Sequence, residues 1–196
     1  LVAACWEKLE LSNPKDAFEN DGIRSVWWPA GEKSCVQAFD AESGRAMWSI
    51  PATPALTIVS SGGVLFMLTH QGNPPSRRDV VAIDLASGRE KWRLPHTAFG
   101  PEADLCLNFA GPGCVVLSKT KDKDKRATFV LSADDGKTLL TLANSVARAI
   151  VGDQLWCHDG RYDLKTGRKM PGPGIGATYA GTNIVGGCVP PIVVGD

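Results

Sequence analysis

The densest run of reactive side chains in the sequence is Leu155-Trp156-Cys157-His158-Asp159-Gly160, which sets a thiol, an imidazole and a carboxylate side by side. Nucleophilic catalysis uses those groups, but only when the base comes within hydrogen-bond reach of the nucleophile. Successive residues of a strand point to opposite faces, so adjacency keeps Cys157 and His158 apart. The segment instead reads as a strand end, with Trp156 and Cys157 near a core, running into an Asp-Gly hairpin turn. The other two histidines, His70 and His96, fall in apparent loops, beside Gln71–Pro75 and after Pro95. No metal-ligand spacing joins the three, and they are expected to be solvated. Cysteines stand at 5, 35, 106, 114, 157 and 188 without a Cys-x-x-Cys pair. A zinc ribbon, a thioredoxin-type motif and a c-type haem site are therefore not signalled. Buried thiols are expected; the alternative is one or two disulfides, and its first pair is Cys106 with Cys114, across Gly111-Pro112-Gly113.

Two further stretches invite a ligand. Gly172-Pro173-Gly174-Ile175-Gly176-Ala177 matches a dinucleotide fingerprint in letters. That fingerprint needs a strand before it and a helix after it, and Arg168–Pro171 and the residues downstream supply neither, so a loop is expected. Lys119–Arg126 interleaves five basic with two acidic residues. Mixed signs predict a solvated hairpin tip, with Lys121, Lys123, Lys125 and Arg126 as candidate contacts for an acidic partner. Trp27-Trp28-Pro29 is the other candidate contact: on a strand one of the two indoles faces away from the core, either against a neighbouring sheet or toward a partner.

The chain that must position these groups has 196 residues, 43% of them hydrophobic and 21% charged, with zero formal net charge. That composition is globular, and the charge balance excludes nucleic-acid binding or anionic-membrane adhesion driven by bulk positive charge. The longest strongly apolar stretch, Gly62–Thr69, falls far short of the roughly 20 residues of a transmembrane helix. A chain that starts at Leu1 and stops in Pro190–Asp196, as a strand enters a turn, reads as a processed or cut product. Val2-Ala3-Ala4-Cys5 has the letters of a lipid-attachment box but reads better as a strand start.

A repeat organises the sequence. Ala38-Phe39-Asp40-Ala41-Glu42-Ser43-Gly44-Arg45 with Trp48 aligns with Ala82-Ile83-Asp84-Leu85-Ala86-Ser87-Gly88-Arg89 with Trp92. Leu131–Lys137 and Tyr162–Arg168 follow the same frame, with Ser132 in place of the Asp in the third copy and Leu140 in place of its Trp. In each copy an apolar strand precedes a residue that can accept turn N–H groups, and a glycine (Gly44, Gly88, Gly136, Gly167) takes the positive φ that closes a hairpin. The repeat positions are thus Asp40, Gly44, Trp48, Asp84, Gly88, Trp92, Gly136, Asp163 and Gly167. The fold expected is all-β: a partial or small β-propeller of about four blades, each of three to four antiparallel strands. The units run approximately 25–50, 55–94, 104–142 and 147–170, with another blade starting at 184–196.

Val81–Trp92, with its Ala-x-Asp-x-x-x-Gly-x-x-x-Trp pattern, resembles the repeat of the PQQ-like (quinoprotein-type) β-propellers, and so does Ala38–Trp48. The resemblance implies that Trp48 and Trp92 pack between blades. Its enzymes hold pyrroloquinoline quinone between a Trp and a disulfide of adjacent cysteines, beside calcium and a catalytic Asp. No adjacent Cys pair exists in this sequence, and no residue matches the catalytic position, so no catalytic, cofactor or metal residue is carried over. Such propellers have six to eight blades, so four imply either a piece of a larger ring or two chains that complete one. The expected function is a non-catalytic scaffold or protein-binding module, with a protein partner or a homodimer, through Phe18–Trp28 and the Lys119–Arg126 hairpin. The resemblance places it in the periplasm, the cell envelope or outside the cell. The alternatives are a fragment of a PQQ-dependent oxidoreductase, requiring the quinone with calcium, and a bare structural fragment.

Overall fold

Val64-Leu65-Phe66-Met67-Leu68 and Val80-Val81-Ala82-Ile83 are apolar at every position, which suits strands buried on both faces. The computed structural model bears this out, and it describes residues 2–6, 34–51, 54–70, 78–100, 105–119, 126–172 and 174. Among them the regular structure is β, apart from one 3-10 turn at His96–Phe99. The first sheet joins β1 (Val2–Trp6), β2 (Ser34–Phe39) and β3 (Ala46–Pro51). The second comprises β4 (Pro54–Ser61), β5 (Val64–His70), β6 (Arg78–Asp84) and β7 (Glu90–Leu94). The third comprises β8 (Leu105–Gly111), β9 (Cys114–Lys119), β10 (Ala127–Ser132) and β11 (Thr138–Ala143). In the fourth, β12 (Ala147–Val151), β13 (Gln154–Cys157), β14 (Gly160–Asp163) and β15 (Lys169–Met170) follow. Each is an antiparallel meander in which every strand pairs with its neighbour in sequence.

The sheets stack in chain order, and alternation within each central strand decides which neighbour a side chain meets. Leu65, Met67, Val81 and Ile83 pack with Val36 and Trp48 of the first sheet. Phe66, Leu68, Val80 and Ala82 point the other way, onto Leu105, Val115, Leu117 and Leu131 of the third. Val116 and Val130 then face Ile150, Leu155 and Tyr162 of the fourth. Each large side chain buried in these layers contributes about 1.5–3 kcal/mol, so the sheets hold together as a stack. The leading strands meet as well, β4 against β8 and β8 against β12, which gathers the sheets along that side.

Several expectations change. The first sheet reaches back to Val2–Trp6, paired from Val2↔Ala38 to Trp6↔Ser34, so the unit expected from residue 25 takes in a strand far upstream. Cys106 and Cys114 do lie on one hairpin, but Cys114 is opposite Gly111 and Cys106 opposite Ser118, and no disulfide joins them. Four positions separate those two registers, about 13 Å along a strand, beyond disulfide reach. His70 is the last residue of β5 rather than a loop residue, and His96 opens the 3-10 turn with its side chain only 16% exposed, beside Asp79. The segments Phe18–Trp28 and 184–196 lie outside the described residues.

Candidate functional site

The four turns of the repeat are one structure built four times. Asp40 Oδ1 accepts the Ser43 N–H at 2.8 Å and the Ser43 hydroxyl at 2.6 Å. Asp84 does the same with Ser87, at 2.8 and 2.6 Å, and Asp163 with Thr166, at 2.7 and 2.7 Å. These bonds hold all three carboxyls below the usual carboxylate range. In the third copy Ser132 Oγ stands in, accepting the N–H groups of Asp134 and Asp135 at 3.2 and 3.4 Å. Each turn then closes through its glycine N–H, which donates to the carbonyl of the first turn residue at 2.8–3.0 Å. Gly44, Gly88, Gly136 and Gly167 all sit at φ between 68 and 72°.

These turns receive the outer strands of preceding sheets. The Trp48 indole N–H donates to the Leu85 carbonyl at 2.9 Å, and Trp92 donates to the Ala133 carbonyl at the same distance. Both rings lie flat against the next turn's glycine. A Cβ on Gly88 would come within 2.7 Å of Trp48, and one on Gly136 within 3.0 Å of Trp92. Leu140, standing where the third Trp would be, covers Gly167 as closely, at 2.6 Å from such a Cβ, with no indole to donate. Glycine is therefore required twice, for positive φ and for the approaching ring.

The reactive run of the sequence lies at the fourth sheet. Cys157 ends β13, His158 and Asp159 form the turn, and Gly160 starts β14. Asp159 accepts the Ser145 hydroxyl at 2.5 Å on one oxygen and the Tyr162 hydroxyl at 2.5 Å on the other, with Lys169 Nζ at 3.4 Å. Burial acts to raise the Asp159 carboxyl, but these donors outweigh it and hold it at about 2. Burial pushes the Cys157 thiol up to about 11, and burial with the bond to Asp159 lifts Tyr162 to about 12. His158 Nδ1 accepts the Val146 N–H at 3.2 Å. The thiol thus stays protonated, and Ser145 is fully buried. The cluster ties the β13–β14 turn to the segment entering β12, and it presents no activated nucleophile. A second polar cluster surrounds buried Asp79, which accepts the His96 N–H at 3.2 Å and lies 3.6 Å from Arg93 Nη1.

Comparison with solved structures finds BamB from Moraxella catarrhalis at a TM-score of 0.50 and 14% identity, over 82% of this chain and 51% of that one. Quinohemoprotein alcohol dehydrogenases are also similar. ADHIIG from Pseudomonas putida HK5 has a TM-score of 0.42 and 17% identity over 58% of this chain and 18% of that one. The enzyme from Comamonas testosteroni has 0.42 and 15%, over 59% and 18%. The chain spans about half the length of BamB. No family model matches the chain, and no curated protein does. The chain is a partial β-propeller. Its stacked meanders are the blades, and the likeness shows the fold alone.

In this propeller the sequence candidates separate into two groups. Asp40, Gly44, Asp84, Gly88, Gly136, Asp163 and Gly167 form the turns, and Trp48 and Trp92 sit between blades as the resemblance implies. Arg126 lies just before β10, while Trp27, Trp28, Lys121, Lys123 and Lys125 lie outside the described residues. The turn carboxyls are closed on their own Ser or Thr, and among the described residues no three His, Cys, Asp or Glu converge. Asp79 and the Ser145–Asp159–Tyr162 group escaped the sequence reading. Asp79 stands beside an apolar run, and only the pairing Thr69↔Asp79 together with Val81↔Arg93 brings its partners near.

Proposed function

We propose that this partial propeller is a non-catalytic protein-binding scaffold of the periplasm, cell envelope or extracellular space. One observation carries the reading: among the described residues, the carboxylates and indoles of the repeat are spent on closing turns and joining blades. Asp40, Asp84 and Asp163 close their turns, Asp159 is saturated by hydroxyl donors, and the two repeat tryptophans fasten sheet to sheet. What the fold offers outward is loops and sheet ends, which suits a partner's surface better than a small substrate. Among the described residues no helix is long and apolar enough to cross a membrane.

The test is thermal melting with saturating pyrroloquinoline quinone and Ca²⁺. A scaffold keeps its melting temperature. A quinone site filled to a hundred times its Kd would add about 2.7 kcal/mol, a rise of roughly 5–10 °C for a chain of this size. A saturable rise of that kind overturns the scaffold reading.

A further inference from the structure

The first sheet differs from the other three in how its leading strand is joined on. β4, β8 and β12 each reach their neighbour through a two-residue turn: Gly62-Gly63 between Ser61 and Val64, Pro112-Gly113 between Gly111 and Cys114, and Gly152-Asp153 between Val151 and Gln154. β1 is not joined in that way. Its last pair with β2 is Trp6↔Ser34, and residues 7–33 of the sequence intervene. Bringing together the ends of a connection that long costs more chain entropy than closing a short one. The pair next to that mouth is Cys5↔Cys35. Among the described residues no other cysteine faces a cysteine across a strand pair: Cys106 is opposite Ser118, Cys114 opposite Gly111 and Ser132, and Cys157 opposite Ala147 and Gly160.

We propose that Cys5 and Cys35 are a disulfide site, and that the bond staples the mouth of the β1–β2 pair, doing covalently what the two-residue turns do in the other blades. The register supplies the reach. Residues directly opposite in an antiparallel pair share a face, with Cα atoms about 4.5 or 5.5 Å apart according to the hydrogen-bonding pattern. Both separations lie within the roughly 4.4–6.8 Å that a disulfide spans. Cys35 carries a free thiol and is half-buried, which leaves it open to a small oxidant. The proposal rests on the scaffold reading only through the compartment, since disulfides persist in the periplasm and outside the cell.

The oxidant is a disulfide-bearing molecule of the class of oxidised glutathione. One cysteine, as its thiolate, attacks a glutathione sulfur. The glutathione S–S bond breaks, a mixed protein–glutathione disulfide forms, and one glutathione thiolate leaves. The second cysteine thiolate then attacks the protein sulfur of that mixed disulfide and expels the other glutathione thiolate. The two protons given up by the cysteines end on the two leaving thiolates. The chain is thus oxidised by two electrons, loses two hydrogen atoms and gains one S–S bond, while one oxidised glutathione becomes two reduced ones. The bond closes a ring of about 30 residues, which restricts the unfolded chain and makes the oxidised protein the more stable one.

In the test, the reduced chain is equilibrated with oxidised glutathione, remaining thiols are alkylated, and tryptic peptides are mapped by mass spectrometry without reduction. Cleavage after Lys8, Lys33 and Arg45 releases Leu1–Lys8 and Ser34–Arg45. The expected result is those two peptides as one cross-linked species, absent in Cys5→Ser and in Cys35→Ser. Oxidation is expected to raise the melting temperature by roughly 10 °C, and neither serine variant shows the rise. Any of four results overturns the proposal: Cys5 and Cys35 recovered alkylated from the oxidised chain, Cys35 joined to another cysteine or left as the glutathione adduct, a cross-link without a rise in melting temperature, or a rise that survives in Cys35→Ser. The peptide map of the unsubstituted chain decides the bond whether or not a variant folds. A rise in melting temperature with quinone and Ca²⁺ removes the scaffold reading and leaves the cross-link standing, so the two fail separately.

Discussion

Asp159 bonds two hydroxyls and a lysine, and this engagement makes a pH-dependent stability. Two hydroxyls, from Ser145 and Tyr162, donate to it at 2.5 Å, and its pKa lies at about 2 in the folded protein. An unfolded Asp titrates near 3.9. The folded pKa is the lower of the two, so the stabilisation is fully present above about pH 4 and is lost as pH falls toward about 2. Asp159→Asn keeps the shape but leaves one hydroxyl donor without a charged acceptor, which costs about 1–3 kcal/mol at pH 7. In urea titrations at several pH values the gap between the two proteins is expected to close across that same acidic window. A gap that persists unchanged at pH 2 would show that the effect is packing and not charge.

At the scale of the element, the repeat glycines distinguish the conformational demand of a turn from the steric demand of a neighbour. Gly44→Ala and Gly88→Ala place the same Cβ at nearly the same φ, 68 and 72°. The first meets open space and the second meets Trp48 at 2.7 Å. Both suffer the strain of positive φ, about 1–2 kcal/mol. Only Gly88→Ala adds the overpacking term, so it should be the less stable variant by about 1–3 kcal/mol in denaturant unfolding. The turns themselves were legible in the sequence because all their determinants are local: Asp or Ser to accept, Gly to turn, an apolar strand before. The same holds for the central strands, whose unbroken apolar runs signal two buried faces. What faced each turn was not legible from spacing, since Trp48 meets Gly88 and Trp92 meets Gly136 across two different separations; the family resemblance supplied that expectation. The strand start at Val2–Cys5 was legible, but its place in the first sheet was not, because its partner β2 lies 28 or more residues further along. The pairing of Asp159 with Ser145 and Tyr162 depends on β12 and β14 lying on either side of β13, which no local pattern encodes.

For the molecule as a whole, the stack has a direction. Among the described residues each of the first three blades sends its outer strand onto the turn of the next, the first blade's own turn at Gly44 is uncovered, and the fourth blade has Pro171 where an indole would stand. Those two described faces are not complementary, and light scattering is expected to give a monomer near 20.8 kDa at all accessible concentrations. The asymmetry can be reversed at one residue. Pro171→Trp supplies the missing indole and restores a backbone N–H to the end of β15, making the fourth blade a donor for the Gly44 turn of a second molecule. Contacts of this head-to-tail kind close into a ring when the rotation per blade permits and run on as a chain when it does not. The variant should therefore self-associate, as a dimer of defined mass in the first case and as a concentration-dependent series in the second. Adding Gly44→Asn to Pro171→Trp should return the monomer, because the two substitutions act on opposite sides of one contact and their effects should couple. If Pro171→Trp associates equally well with Gly44→Asn present, the new indole is binding elsewhere, and the direction read from the three filled turns does not govern how blades meet between molecules.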